Sequence, residues 1–221
     1  MPIEKVTGQI PCNYAIIDGF LNEDELKDIN KAWPANDWEG WVKYDQRYEA
    51  KRASNLFTKL PETCAVALAK MARYNLGNLV ELPDAVPDLS LHGGGLHECL
   101  PGGKLDCHLD AETHPRLGLR RAYSAVLYVH QFWKNSYHGE FVLCDDEKKI
   151  IKRVEPLPGR LVVFDCRTTY HGVMPVWHAG ESRRSLALFG YLPICIENGR
   201  TRAEFTPWPG QEDLEKIMAS R

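Results

Sequence analysis

From Asp88 to Leu192 the chain is written in short extended runs separated by Gly and Pro turns, with no helical period between them. Eight such runs can be read: Asp88–Leu96, Lys104–His108, Arg121–His130, Gly139–Cys144, Ile150–Glu155, Arg160–Cys166, Tyr170–Pro175 and Arg183–Leu192. Strands joined this closely leave no room for crossover helices, which favours antiparallel pairing. The pattern suggests an antiparallel sandwich or barrel, the jelly roll among them. The expected fold class is therefore mainly β with supporting α-helices, with about eight core strands.

The supporting helices are expected before residue 85. Asn22 precedes Glu23-Asp24-Glu25-Leu26, which reads as a capping box, and Leu21 with Leu26 suits a hydrophobic staple. Leu26, Ile29 and Trp33 share a helical face, and Pro34 stops the helix. Leu60, Cys64, Leu68, Met71 and Leu76 mark a second helix from about Pro61 to Leu76, with Gly77 as its expected stop. Tyr14-Ala15-Ile16-Ile17 reads as a strand. Length suits one domain over 1–221: an N-terminal strand and helices (1–85), a jelly-roll core (86–192) and a tail (193–221). The tail contains Pro207-Trp208-Pro209-Gly210 and is expected to end in a short amphipathic helix over Gln211–Met218.

Composition excludes several function classes. A net charge of −3 argues against a nucleic-acid partner. No run approaches the roughly 18 apolar residues of a membrane span, and the first residues lack the apolar stretch of a secretion signal. The seven cysteines are scattered with no CxxC pair, which reads as reduced thiols in a cytoplasmic protein. Gly93-Gly94-Gly95 has no following Lys-Ser/Thr, so a phosphate loop is rejected, and Ser185 lacks a nucleophile elbow.

The chemistry concentrates in His108-Leu109-Asp110. Residues two apart on a strand project to the same side, so this pair can share one target. His171 follows the apolar run Leu161-Val162-Val163-Phe164 and supplies a third donor. Two imidazoles and one carboxylate make the facial triad of non-haem Fe(II) oxygenases. Such a triad leaves three cis positions for a bidentate co-substrate and O2. Twelve residues on, Arg183 and Ser185 share a strand face, and a guanidinium beside a hydroxyl is a receptor for a carboxylate. Arg184 points the other way and is expected at the surface. His92, His97, His114, His130, His138 and His178 are not needed by a metal.

The order HxD, His, Arg-x-Ser resembles the 2-oxoglutarate and Fe(II)-dependent dioxygenases, in particular their prolyl-4-hydroxylase-like branch. The resemblance covers residues 88–192 and implies a double-stranded β-helix (jelly roll) of about eight strands. Pro101-Gly102-Gly103 stands before the HxD as in the family, and Tyr128 through Trp133 is similar to its "Tyr-Leu-Asn-x-x-Trp" strand. His138 through Leu143 is similar to "Gly-Gly-x-Leu-x-Leu", and His171-Gly172-Val173-Met174-Pro175-Val176 to "His-x-Val-x-Pro-Val". Pro158-Gly159-Arg160 and the strand after it, and Ile16-Ile17-Asp18-Gly19-Phe20-Leu21, follow that branch too. The chain departs from the pattern at Cys99, His130, Phe189 and in a longer spacer holding Trp177-His178.

The resemblance implies His108, Asp110 and His171 as iron ligands and Arg183 as partner of the distal carboxylate of 2-oxoglutarate. Tyr128 takes the place of a tyrosine that joins this arginine, or is a core aromatic, and Ser185 assists or packs. The implied cofactors are Fe(II), 2-oxoglutarate as co-substrate and O2, with ascorbate as a further expectation. The implied reaction is hydroxylation of an unactivated C–H bond with release of succinate and CO2. Asp110 occupies the position where a related halogenase leaves room for chloride. The first substrate choice is a prolyl residue in a peptide or protein, and the second a free amino acid or other small metabolite. The rival class is a non-catalytic, cupin-like metal or small-molecule binder, for which Arg183 would have no purpose. Trp133, Phe189 and Tyr44 are candidate substrate walls, with the stretch around Trp41 and Tyr44 as a lid. Alternatively Trp133 and Phe189 are core and that stretch is a surface loop.

Overall fold

The structure is a computed structural model that describes residues 3–7, 11–177 and 180–206. The expected tail helix over Gln211–Met218, the motif from Pro207 to Gly210, and His178 lie outside the described residues.

In chain order the elements are β1 (Ile3–Val6), β2 (Tyr14–Ile17), α1 (Glu23–Ala32), β3 (Val42–Gln46), β4 (Glu49–Ser54), α2 (Glu62–Arg73) and β5 (Val86–Pro87). Then come β6 (Gly95–Cys99), β7 (Lys104–Leu109), β8 (Leu119–Tyr128), β9 (Phe141–Cys144), β10 (Ile150–Val154) and β11 (Leu161–Asp165). β12 (Tyr170–Val173), β13 (Arg183–Cys195) and β14 (Glu204–Phe205) complete the set. All pairings are antiparallel and join one curled sheet in the order β1-β2-β11-β8-β13-β6-β4-β7-β12-β9-β10. β3 pairs with β4, β5 with β13 and β14 with β7.

The sheet doubles back so that β2, β11, β8, β13 and β6 face β7, β12, β9 and β10 across an interior. β11 shows why. Leu161 and Val163 join the cluster under α1 and α2, with Leu26, Ile29, Leu68 and Met71. Val162 and Phe164 point inward to Tyr14, Tyr128, Phe141 and Leu143. A strand buried on both faces must be apolar at every position, which explains the unbroken Leu-Val-Val-Phe run.

α1 is capped as expected. The Asn22 side chain accepts from Glu25 N–H at 2.9 Å, and the Glu25 carboxylate accepts from Asn22 N–H at 2.8 Å. Four expectations are corrected. The strand count among the described residues is fourteen rather than eight. α2 ends at Arg73, before Gly77, because Asn75 adopts a left-handed φ of 51°. Of the run expected from Asp88 to Leu96 only Gly95 and Leu96 are strand; residues 88–94 turn between β5 and β6, where the Asp88 carboxylate accepts from the Ser90 and His92 N–H groups. Arg184 does point away from Arg183, but it belongs to a polar cluster rather than the open surface. Buried Glu98 accepts from Arg52 at 2.7 Å, Arg184 at 3.2 Å and Trp33 Nε1 at 3.2 Å, while Arg184 also donates to Asn30.

Candidate metal centre and co-substrate pocket

His108 and His171 are direct partners across the β7–β12 ladder, so their rings lie side by side with centroids 4.1 Å apart. A bulge sets this register. Val173 pairs with Leu105 and His171 with His108, so two steps along β12 match three along β7. Asp110 follows the end of β7, and its Oδ1 lies 3.6 Å from His108 Nε2 and 3.8 Å from His171 Nε2. The donor atoms of the three residues fall within 4.8 Å of one another.

The surroundings decide which atoms face the centre. His108 Nδ1 donates to Asp106 O and His171 Nδ1 to Thr169 O, each at 2.9 Å. A carbonyl can only accept, so the proton sits on Nδ1 and the Nε2 lone pair is left for a metal. Burial pushes the His171 imidazole down to about 4, with His108 adding to the effect and Asp110 opposing it, so the ring is neutral near pH 7. Burial raises Asp110, but Arg121, His171 and His108 outweigh it and hold the carboxyl well below the usual range. Two imidazoles presenting Nε2 and an ionised carboxylate fit a divalent iron ion.

Asp110 is itself held. Ser124 Oγ donates to Oδ2 at 2.8 Å, and Arg121 Nη1 lies 3.4 Å from the same oxygen. Strict alternation would put Arg121 and Ser124 on opposite faces of β8. A second bulge brings them together: Tyr191 pairs with Arg121 and Gly190 with Tyr123, so one step along β13 matches two along β8. Neither residue stands out in the sequence, because the bulge is set by the partner strand. Ser124→Ala is expected to weaken divalent-metal binding about tenfold, as removal of a ligand's outer partner does. Isothermal titration with Mn(II) would read this, and unchanged affinity would remove Ser124 from the support of Asp110.

Arg183 is buried deeper in the interior. Its Nε donates to Gly139 O at 2.8 Å and its Nη2 to Tyr128 Oη at 3.2 Å. The phenol, accepting from the arginine and pushed up in pKa by burial, keeps its own proton to donate. Gly139 has φ +74° and approaches so closely that a Cβ would press on Val176, Trp133 and the Arg183 stem. Ser185 is buried directly opposite Tyr128 on β8 and His97 on β6. Together these groups can hold a carboxylate.

The three expected wall residues part company. Phe189 lies opposite Ser124, with the Arg121 guanidinium 4.0 Å from its ring centroid, beside the metal centre. Trp133 is not brought to the same place. It packs behind Arg183 with Cys99, Tyr137 and Val176 and donates to His138 O at 2.9 Å. Tyr44 stands on β3 opposite Lys51 in a hairpin that belongs to the sheet, neither a lid nor a loop. Lys51 and Ala53 share the strand face that meets His97, Ser185 and Arg183, so Tyr44 lies at the rim of that face. Trp41 instead packs on Trp33 and Trp38.

With this geometry in place, residues 94–191 match the model of the 2OG-Fe(II) oxygenase superfamily. No curated protein sequence matches the chain. Among solved structures, a Pseudomonas putida prolyl-4-hydroxylase is similar, with TM-score 0.60 and 23% identity, over 82% of this chain and 93% of that one. A Trichoplax adhaerens prolyl hydroxylase in complex with a hypoxia inducible factor peptide fragment aligns with TM-score 0.58 and 16% identity, over 80% and 83%. A viral collagen prolyl hydroxylase from Paramecium Bursaria Chlorella virus-1, as its 2OG complex, aligns with TM-score 0.56 and 15% identity, over 84% and 97%. At these identities the likeness speaks for the fold, while the family match speaks for the chemistry and its Fe(II), 2-oxoglutarate and O2. Residues 94–191 belong to the 2OG-Fe(II) oxygenase superfamily, and the chain is a 2-oxoglutarate-dependent dioxygenase on the fold of the prolyl hydroxylases.

Proposed function

We propose that the protein hydroxylates an aliphatic C–H bond of an amino-acid side chain, a prolyl residue in a peptide or protein first. The convergence of His108, Asp110 and His171 beside buried Arg183 carries this reading. His108 and His171 would bind iron through Nε2 and Asp110 through Oδ1. Arg183 would pair with the distal carboxylate of 2-oxoglutarate, with Tyr128 donating to it and Ser185 closing that end. Bound iron with 2-oxoglutarate and O2 supplies an oxidant for unactivated C–H bonds, and the balance is R–H plus 2-oxoglutarate plus O2 giving R–OH, succinate and CO2. Phe189, stacked on Arg121, offers an apolar wall beside the centre, and Tyr44 a contact at the rim. Trp133 would act only through Arg183.

The peptide reading is supported by the company of prolyl hydroxylases, one of them described with a peptide fragment. A second reading, a free amino acid, is favoured by one observation. Glu49 and Lys51 form an ion pair at 2.9 Å on the strand face shared with Arg183, where they could meet an ammonium and a carboxylate. The continuous sheet from β1 to β14 supports one domain over the described residues. Among these, no helix is long and apolar enough to cross a membrane. A cytoplasmic setting and stimulation by ascorbate are parts of the same proposal.

The test is incubation of iron-loaded enzyme with proline-containing peptides and, separately, with free amino acids, followed by mass spectrometry. A gain of one oxygen on peptides alone supports the first reading. A gain on free amino acids alone overturns it in favour of the second.

A further inference from the structure

β4 meets β7 only at Lys104 and Leu105, so beyond that point the stretch carrying His108 and Asp110 would be an open sheet edge. A strap formed by residues 199–206 closes it. Thr206 N–H donates to Cys107 O at 2.8 Å, and Phe205 and Glu204 pair with His108 and Leu109. Arg200 O accepts from Glu112 N–H at 2.7 Å and Thr113 N–H at 3.0 Å, and Arg200 Nε donates to Asp110 O at 3.4 Å. The strap passes Thr113 so closely that a Cβ on Gly199 would collide with the threonine hydroxyl.

Directly opposed residues of an antiparallel pair project to one face, so Phe205 lies on the metal side beside His108. Its ring stacks on the His108 imidazole with centroids 5.1 Å apart and planes 29° from parallel. Tyr48, at the tip of the β3–β4 hairpin, stacks on Phe205 at 5.0 Å and 18°. The backbone O of Tyr48 also accepts from Asp106 N–H at 2.8 Å. Two segments distant in sequence thus meet over one imidazole.

We propose that Phe205 is a positioning residue for the metal centre, fixing the plane of the His108 ring, with Tyr48 backing it from the hairpin. This rests on the reading of His108 as an iron ligand. The hydrogen bond at Nδ1 and the neighbouring His171 ring restrain the imidazole in part, and the stacked Phe205 ring adds a face contact that resists tilting of its plane. A ligand already ordered before the metal arrives loses less entropy on binding. By linkage, metal binding must in turn steady the strap.

The test uses the full-length apoprotein and Co(II), whose visible bands report coordination without turnover. Phe205→Leu keeps an apolar side chain in the strand but removes the ring. It is expected to weaken Co(II) binding about tenfold and change the visible bands, while Phe205→Tyr stays within about threefold of wild type. Amide exchange over 199–206 should slow when Co(II) is added. Wild-type affinity and spectrum in Phe205→Leu overturn the proposal. Should that variant fail to fold by circular dichroism, Tyr48→Leu is read the same way, with a smaller loss expected and wild-type behaviour overturning the proposal. Absence of Co(II) binding by the wild-type protein would instead overturn the ligand assignment itself, and the proposal with it.

Discussion

Alanine in place of His108, Asp110 or His171 is expected to abolish succinate formation while leaving the fold intact. Each side chain supplies one of three converging donors, so its loss opens the coordination set directly. Removing an outer partner of a ligand costs about 10–100-fold in metal affinity, and removing the ligand itself should cost more. The fold should survive because the main core lies elsewhere, under α1 and α2, although His171→Ala also removes ring contacts to Phe164 and Phe141 and should be the least stable of the three. Asp110→Ala deserves separate measurement, since it also leaves Arg121 without its carboxylate partner. Succinate release and circular dichroism measured on the same samples decide the matter. Full turnover in any one variant removes that residue from the iron shell.

Arg183→Ala should raise the 2-oxoglutarate requirement steeply while metal binding stays near wild type. A desolvated charge pair that loses one partner is weakened by about 2–5 kcal/mol, or roughly 30-fold to several thousandfold in affinity. Arg183→Lys should recover only part of this. An ammonium restores charge, but it does not reproduce the paired contacts to Gly139 O and Tyr128 Oη. Arg184→Ala is the control. That guanidinium is tied to Glu98 and Asn30 on the opposite face, so its loss should lower stability and leave the 2-oxoglutarate requirement unchanged. The quantity to measure is the concentration of 2-oxoglutarate that half-saturates succinate formation. If the control instead shows the larger shift, the assignment of the two arginines is reversed.

Much of this architecture could be read along the chain. The core strands β7 to β13 were visible because each is bounded by turn residues and carries apolar side chains. α1 was visible down to its cap, since Asn22 and Glu25 act within one turn. The β3–β4 hairpin was not visible. Val42–Gln46 and Glu49–Ser54 are largely polar, and the two residues between them, Arg47 and Tyr48, carry no Gly or Asn. The hairpin owes its place to the edge it pairs with rather than to its own pattern.

The same division runs through the site. His108 and Asp110 could be paired from the sequence, because spacing two apart on a strand is a local property, while His171 and Arg183 took their roles from the order of motifs that resembles the family's. What surrounds them is not local. Arg121 reaches Asp110 through a bulge imposed by β13, Trp133 is drawn behind Arg183 by the close approach of Gly139, and Phe205 meets His108 only because β4 stops short. Residue types and strand periodicity determined which groups could act. Strand register, which depends on contacts between segments as far apart in the chain as Tyr14 and Phe164, decided which neighbours hold them.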